Sequence, residues 1–344
     1  MTRFWLALLV LGTSAIPSIA KEGAKVDSAA RWVNVSDPTV KTLKEGGKKI
    51  DWPGETAGVS VDPSTGDVYM IVPGQGIWKS SDQGATFARS DGGKIGGRCE
   101  TSYALNFDPA GGRLACFMLD GHAGITLDAG KTWRSFTDVG RNWDYAAVDW
   151  SQTDPKNIFA ARHESGGEMY LSTDGGASWK QIGKDPKFAG VGIFDDKTLV
   201  TTKGSGILRS TDGGSTWSHV SDLQPIGRVV KSYEGTARWL GKEGLLISKD
   251  NGATWALQGS PVDASLGPWF ANENHILVAG KKGIFESRDG GATWKFVAAL
   301  PEGFDVPMPG WFTNVGWDTV HDILYASKMG KPTYKLERAQ GNGK

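Results

Sequence analysis

An eight-residue motif that recurs six times constrains this chain more than any other feature. Its fullest copy is Ser210-Thr211-Asp212-Gly213-Gly214-Ser215-Thr216-Trp217, and every copy reads Ser/Thr-x-Asp-x-Gly-x-Thr/Ser-aromatic. The others begin at Ser80, Thr126, Ser172, Ser248 and Ser287, so the aspartates are Asp82, Asp128, Asp174, Asp212, Asp250 and Asp289. Successive aspartates stand 46, 46, 38, 38 and 39 residues apart. Self-similarity at this period means stacked supersecondary units, each needing a neighbour to bury its apolar face. The 344 residues then form one closed array, not two domains.

Each unit parses into four short strands. In the first, Ala57 to Val61 alternates, Asp62 to Gly66 turns, and Asp67 to Val72 returns. Gly74-Gln75-Gly76 turns again, Ile77 to Ser80 follows, and the aspartate motif leads into Thr86 to Arg89. The same pattern fits residues 101–138, 145–183, 191–221, 227–259 and 267–300. Short β-rich runs with Gly, Asp and Pro punctuation predict an all-β fold. No stretch keeps a helical apolar period. A seventh unit from Trp311 to Leu336 has only three strands, and Ala30 to Ser36 matches the missing fourth. The prediction is a single seven-bladed β-propeller of four-stranded antiparallel blades, closed by the N-terminal strand.

The six aspartates are read as structural. Asp beside Gly is turn chemistry: the carboxylate accepts nearby N–H groups while Gly supplies positive φ. The motif lacks the alternating carboxylates and distal Glu of a calcium loop, and six equivalent catalytic acids make no mechanistic sense. It resembles the Asp-box (BNR) repeat of sialidases, xyloglucanases, sortilin ectodomains and a photosystem assembly factor. That resemblance covers the repeats and implies a propeller whose ligand site lies on the face away from the boxes. Sialidase catalytic residues do not carry over. Arg31-Trp32 is followed by Val33 where an Arg-Ile-Pro type motif is needed, Ile226-Gly227-Arg228 is no substitute, and sialidases have six blades. Xyloglucanases work in a cleft between two propellers, and one is predicted here.

Lys plus Arg equals Asp plus Glu at 38 each, so no global field favours nucleic acid or an anionic membrane. Residues 1–20 read as an export signal, with Arg3, an apolar run from Phe4 and a Ser18-Ile19-Ala20 cleavage site. Residues 21–344 are then the propeller, secreted or periplasmic, monomeric, with no membrane span after cleavage. Cys99 and Cys116 permit one disulfide, but a hairpin turning at Asp108 to Gly111 sets Tyr103 opposite Cys116, which leaves the bridge open. Asn34-Val35-Ser36 matches a glycosylation acceptor, although its place in a strand favours coincidence.

The unequal intervals point to the site. The two 46-residue intervals exceed 38 by eight residues each, and the surplus is assigned mainly to loops on the face opposite the boxes. Those loops carry Lys48, Lys49, Asp51, Trp52 and Glu55, then Lys94, Arg98 and Glu100, then Arg141, Asn142, Trp143 and Asp144. Two further loops hold Asp120 with His122, and Arg162, His163 and Glu164. Aromatic planes beside carboxylates and arginines suit a sugar. Glu55, Glu100, Asp120 and Asp144 are therefore the candidate acids of a glycoside hydrolase. Trp52, Arg98, His122, Arg141, Trp143, His163 and Glu164 are the candidate substrate contacts. A binding or assembly propeller with a protein partner and no turnover is the alternative. Lyase chemistry by His122 or His163, with an arginine neutralising a uronate, is the third. No cofactor or metal is expected, since Asp120, His122, His163 and Glu164 lack a defining ligand spacing. The Gly92–Gly97 stretch precedes a strand, which excludes a helix-capped phosphate cradle.

Overall fold

The computed structural model describes residues 31–306 and 311–338. They form seven four-stranded antiparallel sheets, six of them running in sequence order from an inner to an outer strand. Blade one comprises Val59–Val61, Val68–Val72, Gly76–Ser80 and Ala88–Arg89. The inner strands of blades two to six are Leu105–Phe107, Trp143–Val148, Phe188–Ile193, Lys231–Tyr233 and Leu266–Phe270. In blade seven Thr313–Asp318, Ile323–Lys328 and Tyr334–Glu337 are joined by Val33–Asn34, with Val33 opposite Lys335. The chain is thus a seven-bladed β-propeller, and its N-terminal strand closes the ring. The export signal predicted at residues 1–20 lies outside the described residues.

Every aspartate motif joins the third strand of a blade to the fourth. In the fullest copy Asp212 Oδ1 accepts from Ser210 Oγ at 2.8 Å and from Thr216 N at 2.9 Å, and Oδ2 accepts from Thr216 Oγ1 at 2.6 Å. Ser210 Oγ in turn accepts from Gly214 N at 2.9 Å. The same bonds recur at Asp82, Asp128, Asp174, Asp250 and Asp289. Hydroxyl donation from the Thr or Ser four residues on is the main reason Asp82, Asp174, Asp212 and Asp289 fall to about 2. The motif aromatics pack on neighbouring strands; Trp179 meets Trp143 at 4.3 Å between ring centroids.

Three expectations need correction, and the open question of the cysteines is answered. Asp37–Glu45 is a helix, although no helical period is evident there. Pro38 opens it, and Val40 and Leu43, one turn apart, are its only buried side chains, too few to write a period. The blade-two hairpin closes later than predicted: Phe107 pairs with Leu114, and Leu105, not Tyr103, lies opposite Cys116. The reason is a longer turn: Asp108 N donates to Arg113 O at 3.0 Å, so Gly112 and Arg113 belong to the connection and not to the strand. Cys99 and Cys116 are both buried and free, with Cys99 Sγ 3.6 Å from Met118 Sδ. Finally, part of the blade-three surplus lies on the face that carries the aspartate motifs, in the residue 149–157 loop between the first two strands.

Candidate functional site

Two loop sets converge on the face opposite the boxes: those entering each blade and those joining second to third strands. Around blades two and three they interlock backbone to backbone. Arg98 and Leu119 exchange N–H···O bonds at 3.1 and 3.0 Å, and Gly96 N donates to His122 O at 3.2 Å. A Cβ on Gly97, where φ is +100°, would lie 2.0 Å from the Leu119 carbonyl oxygen. The glycine stretch is there to let two loops touch, and that contact places Arg98.

From Arg98 a chain of charges runs across the face. Its guanidinium binds Glu100 Oε1 at 3.0 Å and the Asp120 carboxylate. Asp120 Oδ1 also accepts from Arg141 Nε at 3.2 Å, and Arg141 Nη1 reaches Glu164 Oε2 at 2.8 Å. His163 Nδ1 lies 2.6 Å from Asp144 Oδ1, and its Nε2 is 3.5 Å from Glu164 Oε2. Both side chains of the His163–Asp144 pair are nearly buried, so the carboxylate fixes the ring's orientation. Trp52, 65% exposed, lies over the Arg98 guanidinium at 4.8 Å.

These groups border a pocket of about 690 Å³ at the mouth of the central channel. Trp52, Arg98, Glu100, Arg141, Asp144, His163 and Glu164 line it, and Asp120 braces two of its arginines. The structure places the other predicted residues differently. Trp143 is wholly buried in the core, Glu55 pairs with Lys44 of the helix at 2.8 Å, and His122 turns to Asp138 at 3.1 Å. The Arg141 guanidinium bridges Asp120 and Glu164, two of the four groups weighed as metal ligands.

The pocket also contains Arg162, on one of the loops singled out in sequence, and residues that neither loop nor motif marked. Arg162 binds buried Glu168, which lines the pocket, at 2.7 Å, and Lys184 binds it from outside the lining at 3.0 Å. Although burial opposes it, the hydrogen bond from Lys184 leads those that hold Glu168 below the usual carboxylate range. Across the mouth, Arg228 lies between the rings of Tyr145 and Trp311, at 5.5 and 5.6 Å. Its Nε, like those of Arg98 and Arg162, is buried without a partner. Among the described residues it is the pocket arginine that makes no ion pair. The one sequence signal for it is a lone arginine beside Gly227, just ahead of an inner strand.

Fold and pocket define a seven-bladed propeller with an arginine-rich, aromatic mouth. No family model and no curated protein matches the chain. Solved structures similar in shape include the following three. YCF48 from Cyanidioschyzon merolae is 13% identical, with a TM-score of 0.47, over 86% of this chain and 99% of that one. YCF48 bound to D1 peptide is 12% identical, at 0.49, over 84% and 93%. An ancestral GH74 enzyme is 15% identical, at 0.48, over 83% of this chain and 45% of its own.

Proposed function

We propose that this propeller is an exported protein that binds an acidic saccharide, such as a uronate-bearing oligosaccharide, in the pocket opposite the Asp boxes. Arg228 carries the reading. A guanidinium within 5.6 Å of two aromatic rings, lining the pocket and paired with no carboxylate of the described residues, favours a ligand that brings its own carboxylate. Trp52 and Trp311 offer the flat apolar surfaces on which sugar rings stack. The volume suits a ligand of two or three sugar units.

The test is calorimetric titration with trigalacturonate and with its carboxyl-reduced, neutral counterpart. The acid is expected to bind, the neutral sugar about ten-fold or more weakly, and Arg228→Met should erase the difference. Equal affinity for the two sugars would overturn the reading.

Turnover of the bound sugar is the second reading, favoured by the His163–Asp144 pair. An imidazole oriented by a buried carboxylate can take a proton, and neighbouring arginines can hold a uronate while its α-proton leaves. Hydrolysis by a carboxylate pair has less support. Glu100 and Asp120 are bonded to arginines and Asp144 to His163, so none stands free to protonate a leaving oxygen. A polysaccharide panel separates these outcomes: new reducing ends with ultraviolet absorbance mean elimination, and reducing ends alone mean hydrolysis. If hydrolysis is found, Glu100→Gln, Asp120→Asn and Asp144→Asn identify the acids.

A further inference from the structure

The inner strands of all seven blades surround a channel that widens at its other end, on the Asp-box face, to about 600 Å³. Phe107, Trp150, Tyr233, Trp269, Phe270 and Trp317 give that end an aromatic wall. One cation interrupts it. Lys231 begins the inner strand of blade five, and its ammonium donates to Asn106 Oδ1 of blade two at 3.0 Å. Asn106 is fixed in this orientation because its amide nitrogen donates to Tyr103 O at 2.8 Å and Ala146 O at 2.7 Å.

An ammonium has three donors, and the protein satisfies one of them here. The acids that line this mouth are otherwise engaged or outside it. Asp108 binds Arg113 Nε at 2.6 Å, Asp149 accepts from Asn157 at 3.0 Å and Ser151 N at 3.1 Å, and Glu234 is exposed at the rim. With no acid to offset it, burial pushes the Lys231 amine down to about 8. An unpaired cation in an aromatic cavity is costly to hold there, and an anion with an apolar body would relieve that cost.

We infer that the Asp-box mouth of the channel binds a small carboxylate with an apolar body, its oxygens on the Lys231 ammonium and its body against Trp269, Phe270 and Tyr233. This site is separate from the arginine-rich pocket and takes a different ligand class, a compact hydrophobic acid in place of a hydrated sugar.

The experiment titrates 4-phenylbutyrate and 4-phenylbutyramide into the protein by calorimetry. Saturable binding is expected, with the acid about ten-fold or more tighter than the amide of the same shape. Lys231→Met should abolish that preference and leave amide binding in place. Because the acid–amide comparison is made on the unaltered protein, it stands even if the variant misfolds. Equal binding of acid and amide, or no saturable binding of either, overturns the proposal. So does a preference that survives in Lys231→Met, which would put the acid elsewhere, at Arg228.

Discussion

At the residue scale, the decisive groups are those whose surroundings do not satisfy them. Lys231 is a cation without an acid, and neutral methionine has nearly its length. Its folded-state value is depressed from 10.5 to about 8, so the charged amine costs stability at neutral pH, and the cost fades as pH rises past 8. Lys231→Met should therefore raise Tm at pH 7 by roughly 2–5 °C, and the gain should shrink by pH 10. A differential scan at both pH values checks this. Gly97 is the opposite case, a position already filled to contact. Gly97→Ala forces a methyl into the Leu119 carbonyl at a positive φ and should cost more than about 2 kcal/mol. Because Gly97 precedes Arg98, the same variant should weaken acidic-sugar binding.

At the element scale, the turn formed by the repeated aspartate motif is a closed set of hydrogen bonds around one ionised carboxylate. Four of the six sit near 2, against 3.8 in an open chain. A depressed carboxylate contributes stability above its unfolded value and loses it as pH falls through its folded value. The denaturant midpoint should hold from pH 7 to pH 5 and then drop between about 4 and about 2. A profile flat down to pH 3 would show that the boxes do not support the fold. These turns are also why the blades were legible in sequence: Asp, Gly and hydroxyl are obligatory at fixed offsets. The helix Asp37–Glu45 was not legible, since two buried side chains make no period. Interval lengths identified the loops that carry Arg98, Glu100, Arg141, Asp144, His163 and Glu164. They could not distinguish Trp143, which turns inward, from Trp52, which turns outward. Arg228 and Lys231 belong to the approaches and ends of inner strands, which follow no motif, so only the closed ring brings them to the channel.

At the scale of the whole molecule, the ring is fastened where its two ends meet. Trp32 Nε1 donates to Ala299 O of blade six at 2.9 Å. Arg338 binds Glu286 Oε2 in blade six and Asp322 Oδ1 in blade seven, each at 2.9 Å. Burial would raise Glu286, but bonds from His275 and Arg338 outweigh it and hold the acid at about 2. Glu286→Gln removes the charge that ties Arg338 to the neighbouring blade and should cost about 1–3 kcal/mol, read from the denaturant midpoint. Removing residues 31–36 should cost more, because it strips the partner from Tyr334–Glu337 and leaves a bare sheet edge. Aggregation on warming is the expected readout. Among the described residues no helix is long and apolar enough to cross a membrane.

The pairing of Val33 with Lys335 also sets an order in time. Val33 leaves the ribosome about 300 residues ahead of its partner, so the seventh sheet stays unfinished until the far end of the chain arrives. Six blades can stack as they are made, but the ring is latched last, and by the segment made first. A rearranged gene that opens the chain between blades five and six, in the connection from Gln258 to Leu266, and links residue 338 to residue 31 would turn this late pairing into a local one. Such a permutant should refold faster to the same structure, because no sheet would then pair strands from opposite ends of the chain.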